Sequence, residues 1–255
     1  MAGFNVKFIL LSSLLAQVVV AHDVPDEAVD EPKGPWSGSF GAGYLASSGN
    51  TDDSSVTVAF ALNYDKAVWH HALNGRFFGA SSQEPVTNES FTTSESYQAG
   101  WKSSYDFSEH NYTFGQINWI KDRFSGFPEQ TFATAGYGRR LLETEKFVLN
   151  AEIGGGYSKQ KVRIDEFVTE RQDGGVITAG GDFAWKISDN ATFEQVLAIF
   201  STSDNTFTES ITRLHAGLIG NVGLSLSYTV RNNSDVAPEL EKTDTYTAAS
   251  LEYSF

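Results

Sequence analysis

The side chains here that could do chemistry are histidines, serines and a large excess of carboxylates, which between them could supply a general base, a nucleophile or oxygen ligands for a cation. His70 and His71 are adjacent. In a strand, neighbours point to opposite faces, so the two cannot share one metal ion, and a single interfacial histidine is the expected reading. His215 shares a predicted face with Arg213, and serines that could pair with it abound, as in a serine hydrolase. No serine stands in a G-x-S-x-G turn and spacing places no acid to complete a triad, so no enzymatic activity is expected. Gly154-Gly155-Gly156 and Gly180-Gly181 could suggest a phosphate cradle, but they precede no helix. Strand curvature, or close packing beneath an aromatic, explains them better. The chain has no Cys, which removes thiolate nucleophiles, disulfides and zinc–thiolate sites. No metal and no cofactor are expected.

The elements that would carry these residues alternate with period two. Val56, Val58, Phe60, Leu62 and Tyr64 oppose Thr57, Ala59, Ala61, Asn63 and Asp65. Phe147, Leu149, Ala151, Ile153 and Tyr157 repeat the pattern, as do Leu224, Leu226, Tyr228 and Val230. Twelve such segments are predicted, at 36–47, 54–65, 68–80, 94–106, 111–121, 130–141, 146–158, 175–187, 190–201, 207–219, 222–231 and 244–255. Most exceed the five or six residues usual in soluble proteins and match the roughly 9–11 that a tilted strand needs to cross a bilayer.

Residues 1–21 read as a secretory signal peptide: Lys7, an apolar run from Phe8 to Val20, then Val19-Val20-Ala21. That run is too short for a spanning helix. Residues 22–35 are acidic and proline-rich, the composition of a disordered tether on the periplasmic side.

The connections alternate in length. Those at 47–53, 81–93, 122–129, 159–175, 202–206 and 232–243 are longer or more polar; those at Lys66-Ala67, 107–110, 143–145, Ser188-Asp189 and Gly220-Asn221 are tight. Short turns at one end and long loops at the other are what an outer-membrane barrel requires. An even strand count puts both termini at the short-turn, periplasmic end. Such a sheet must close, because an open edge in hydrocarbon leaves N–H and C=O groups without partners at several kcal/mol each. The prediction is therefore an all-β, closed, antiparallel up-and-down transmembrane β-barrel of 12 strands, monomeric and lodged in the Gram-negative outer membrane. Aromatics fall near both strand ends, as interfacial belts do: Trp36, Tyr64, Trp69, Tyr105, Phe107, Tyr112, Phe147, Trp185 and Phe255 at one, Tyr44, Phe78, Tyr97, Trp119, Phe132, Tyr157, Phe207 and Tyr246 at the other. Trp119 and Phe78 fall off the apolar parity of their own strands, which would turn them inward.

The opposite parity puts Arg76, Lys102, Glu152, Asp182, Glu194, Arg213, Arg231 and Glu252 toward the lumen. They could line a water-filled conduit or pair into a network that fills it; twelve strands lie between the filled eight-stranded and the open 16-stranded barrels. The long loops are acidic. A solvated rim is the preferred explanation of that charge; if it is a site, Asp52-Asp53 and Asp235/Glu239/Glu241 could hold Ca²⁺ or Mg²⁺ against lipopolysaccharide phosphates. Lys+Arg number 18 against Asp+Glu 32, a net charge of −14 that argues against a nucleic-acid partner.

Trp36-Ser37-Gly38, Gly41 and Ser48-Gly49-Asn50-Thr51, with the ending 233–255, resemble the salt-induced outer-membrane protein family that carries domain of unknown function 481. The resemblance covers residues 36–255. It implies an outer-membrane barrel linked by name to salt or envelope stress, with no assigned activity and no catalytic residues to carry over. Leu251, Tyr253 and Phe255 look like the signal read by the outer-membrane assembly machinery, which together with membrane lipid and lipopolysaccharide makes up the expected partners. The reading is a narrow porin-like channel for small solutes or ions; the alternative is a non-conducting barrel that stabilises the membrane through cation-bridged lipopolysaccharide contacts.

Overall fold

The computed structural model describes residues 34–47, 52–83, 89–165, 168–237 and 240–255. The expected signal peptide, nearly all of the expected tether, and Ser48-Gly49-Asn50-Thr51 lie outside them. Twelve strands follow one another: β1 (Trp36–Ser47), β2 (Asp52–Lys66), β3 (Trp69–Gln83), β4 (Ser90–Ser108), β5 (Asn111–Asp122), β6 (Glu129–Glu143), β7 (Phe147–Arg163), β8 (Thr169–Ser188), β9 (Ala191–Ser201), β10 (Thr206–Ile219), β11 (Val222–Asn233) and β12 (Thr243–Ser254). Each pairs antiparallel with its sequence neighbours, and β1 meets β12 to close the barrel. That seam is short. Its ladder runs from Ser39–Ser254 only to Ala42–Leu251, extended by reciprocal backbone hydrogen bonds between Gly38 and Phe255 at 2.9 and 3.0 Å.

One departure from the sequence reading concerns the connection at 159–175. Most of it is ladder, running through Lys159–Asp173 and Lys161–Arg171 to Arg163–Thr169, so β7 and β8 project as a long hairpin. Gln160 and Val162 stay buried while charged neighbours point out, so alternation persists under a polar surface that disguised it.

The register fixes two faces. Glu252, Gly41, Ala59, Arg76 and Gln98 are successive partners across β12, β1, β2, β3 and β4, and all lie on the inner face. The outer face carries Ile153 at 59% exposure and Ile177 at 66%. A continuous band of such residues is stable against hydrocarbon and not against water, which makes the barrel transmembrane.

Phe78 is buried inside the barrel, as its parity predicts, and four other belt aromatics, Tyr112, Phe132, Phe207 and Tyr246, are buried there instead of facing lipid. Trp119, whose parity had pointed inward, stands on the outer face with Ile117. Inside, Phe132 stacks on Phe200 with ring centroids 4.5 Å apart, and Ile120, Val176, Ala198 and Phe207 complete an apolar cluster. The glycines at 154 and 156 permit close approach of a neighbouring strand: a Cβ on Gly156 would lie 2.0 Å from the Ala133 carbonyl oxygen. The crowding comes from backbone, not from an aromatic ring.

At the β2–β3 turn Ala67 adopts φ 55°, in the left-handed region that costs a residue with a Cβ about 1–2 kcal/mol. Ala67→Gly should therefore raise the urea unfolding midpoint of the membrane-inserted barrel by an amount worth about 1 kcal/mol; an unchanged midpoint would refute this.

Candidate lumenal site

All eight charged residues singled out by parity lie on the inner face, and most find partners there. Lys102 on β4 pairs with Glu152 on β7, and Tyr112 donates to the same carboxylate at 2.7 Å. Arg213 pairs with Glu194 at 2.9 Å across β10 and β9. Asp182 accepts from the Asn150 amide at 2.7 Å. His215 lies 3.9 Å from Glu252, outside hydrogen-bond reach, and among the described residues no serine hydroxyl hydrogen-bonds its ring. The bond that a nucleophile–base pair needs is not made. Arg76 lies within electrostatic range of Arg213, Glu209, Arg231 and Glu252.

Arg231 does most to shape the interior. Its Nε donates to Glu209 Oε2 at 2.8 Å, and its Nη1 lies 3.7 Å from Asp122 Oδ2. In a ring of twelve, β5 and β11 stand on opposite walls, so this contact crosses the lumen. Arg231 is 5% exposed and Glu209 1%, and the guanidinium also lies over the Tyr246 ring at 5.5 Å. A wide wet bore would leave such side chains accessible, so the lumen is closed at this level.

On the short-turn side of that closure a cavity of about 380 Å³ reaches from Ser37, Asn63 and Ser254 inward to Phe78, Thr229 and Tyr246. Arg76, Glu194, Arg213, His215 and Glu252 line it. On the other wall the buried amides of Gln98, Asn118, Gln130 and Gln160 have side-chain atoms with no protein partner. A buried polar atom left so costs about 1–3 kcal/mol, so these positions call for water or a polar solute.

Both ends carry features that sequence reasoning missed. At the short-turn end His70 Nδ1 lies 2.7 Å from Asp65 and its Nε2 3.2 Å from Asp106, which Arg140 also binds at 2.8 and 3.0 Å. His71 faces outward and stacks on Trp69, so the two histidines do part. At the long-loop end the Arg163 guanidinium donates to the Arg123 carbonyl at 2.7 Å and to the Ser125 carbonyl at 3.3 Å, holding the β5–β6 loop. A Cβ on Gly126 would meet Val236 and Leu240 at 3.3 Å, which brings that loop against the β11–β12 loop over the mouth. In the sequence only the phenylalanines of an otherwise polar loop, Phe124 and Phe127, hint at this, and of these Phe127 is buried. The carboxylates of Asp52, Asp53 and Glu239, read as possible cation ligands, lie outside the described side chains; among the described residues no group of His, Asp and Glu is arranged to hold a metal.

With this geometry in place, a family model described as "Protein of unknown function, DUF481" matches residues 40–255. The chain belongs to the DUF481 family. A relative, the uncharacterized protein YdiY of Escherichia coli (strain K12), is 35% identical over 242 residues, spanning 92% of this chain and 90% of its own. Among solved structures this DUF481 chain is similar to the NanC porin (10% identity, 86% of this chain and 98% of that one, TM-score 0.48). It is also similar to the translocator domain of autotransporter NalP from Neisseria meningitidis (10% identity, 89% and 90%, TM-score 0.47). The closed twelve-stranded topology of the DUF481 chain stands on its own strand pairing.

Proposed function

We propose that this DUF481 chain is an outer-membrane, porin-like barrel that passes small solutes or ions through a narrow lumen, with the Arg231–Asp122–Glu209 cluster as its closure. The observation that carries the reading is the ion pair between opposite walls, because it blocks the bore with groups that can part without unfolding a strand. The unpartnered amides of Gln98, Asn118, Gln130 and Gln160 support a hydrated path beside it. Carboxylates at Asp65, Asp106, Asp122, Glu152, Asp182, Glu194, Glu209, Asp244 and Glu252 outnumber the inward cations Arg76, Lys102, Arg140, Lys186, Arg213 and Arg231, which favours cations in the lumen. In this orientation the short turns are periplasmic and the cavity opens to the periplasm. Outward-facing Leu251, Tyr253 and Phe255 form the strand that the assembly machinery would take up.

The test is single-channel recording in planar bilayers over a range of salt concentrations. Wild type is expected to give rare, small steps. Asp122→Asn, which removes one charge of the closure at constant shape, is expected to raise the open fraction several-fold. Urea titration of both proteins confirms that they are folded. If both are folded and silent at every salt concentration, the channel is refuted and the non-conducting, membrane-stabilising barrel takes its place.

A further inference from the structure

In a chain of net charge −14, cations concentrate at one place on the outer wall. Lys121 on β5, Glu129 on β6, Lys161 on β7 and Arg171 on β8 are successive register partners near the long-loop ends of four adjacent strands. Lys159 lies two residues below Lys161 on the same face. Strands are spaced about 4.8 Å apart, so the row from Lys121 to Arg171 spans roughly 15 Å, wide enough for more than one headgroup phosphate. Lys161 bonds Glu129 at 2.5 Å, whereas Lys121, Lys159 and Arg171 are exposed and make no ion pair among the described residues. Counting Glu129 and Asp173 against the four cations leaves the patch positive. Glu95, on the adjoining outer face of β4, is paired with Arg123 at 3.3 Å, and the remaining loops at this end carry Asp204, Asp235 and Glu241 against Lys242.

The height of the row is set by aromatic rings. Trp119 stands two residues below Lys121 and Tyr157 two below Lys159, both on the outer face. Their indole and phenol mark the boundary between hydrocarbon and headgroups. Two residues at about 3.3 Å each lift Lys121 and Lys159 above the ring on their own strand, toward the headgroup layer of the leaflet that faces outward, and Lys161 and Arg171 continue the surface along the β7–β8 hairpin. Lysine and arginine at that level attract anionic headgroups, and arginine can bind phosphate bidentately.

We infer that Lys121, Lys159, Lys161 and Arg171 on the β5–β8 wall form a binding surface for the phosphate groups of an outer-leaflet glycolipid of the lipopolysaccharide type. This goes beyond the channel reading but rests on its outer-membrane placement. The surface is on the lipid side and needs no open lumen.

The test reconstitutes the full chain into discs of zwitterionic phospholipid and titrates in bisphosphorylated lipid A, with binding read by native mass spectrometry. Wild type is expected to retain lipid A, and Lys121→Gln/Lys159→Gln/Arg171→Gln to bind at least tenfold more weakly. Arg139→Gln, an outward cation at the opposite end of β6, is expected to bind like wild type. Lipid A stripped of its phosphates should bind wild type as weakly as phosphorylated lipid A binds the triple variant. Equal binding by the triple variant, or equal binding of the stripped lipid, overturns the inference while leaving the barrel in its membrane. Full displacement of lipid A by inorganic phosphate also overturns it, because the surface would then be a simple anion site. A wild-type chain that fails to insert into the discs at all overturns the outer-membrane placement, and this inference with it.

Discussion

Arg231→Met is expected to lower the unfolding free energy of the inserted barrel by about 3–5 kcal/mol, read from the urea dependence of tryptophan fluorescence. The reason is the company Arg231 keeps. Glu209 at 1% exposure and Asp122 at 3% would be left as buried charges with their counter-ion removed, which is the costly way to break a buried ion pair. Replacing all three, as Arg231→Met with Glu209→Leu and Asp122→Leu, removes the stranded charges as well and should recover most of the loss. If the triple variant is as unstable as the single, packing rather than uncompensated charge explains the effect. The same pair of variants separates stability from conduction, because the triple should be firm and yet lack the polar closure.

Phe132→Ala ranks beside it. Phe132 is fully buried between Phe200 and Phe207, and truncating a buried phenylalanine costs about 3–5 kcal/mol in transfer and cavity terms. Phe60→Ala on the outer face provides the contrast: at 44% exposure Phe60 meets lipid, which fills the space. It should cost much less in the same urea titration. A loss at Phe132 no larger than at Phe60 would show that the inner cluster does not help hold the barrel together.

Much of the architecture was open to a reader of the sequence, because a barrel wall obeys one rule. Period two sorts every strand into an inner and an outer row, and the pattern around Val56–Tyr64 or Leu224–Val230 states it without ambiguity. What could not be read is distance across the lumen. Asp122 and Arg231 are far apart in the chain and lie on strands that never pair; their meeting depends on tilt and stagger around the ring, which no local pattern encodes. Phe132 and Phe207 were misplaced for a related reason. An aromatic near a strand end fits an interfacial belt as well as an inner cluster, and only parity within its own strand decides. The His70–Asp65–Asp106–Arg140 network was missed because histidine was weighed against its sequence neighbour His71, whereas its true neighbours come from β2, β4 and β6.

The brief β1–β12 ladder bears on how the molecule comes apart. While β7 and β8 hold each other over almost their whole length, the first and last strands clasp over a few residues near Gly41 and Glu252. The other strand pairs hold ladders of eleven or more residues, so this clasp is expected to part first on heating. The wall therefore has a built-in direction of sideways yielding, next to the cavity and away from the lipid-facing cations of β5–β8.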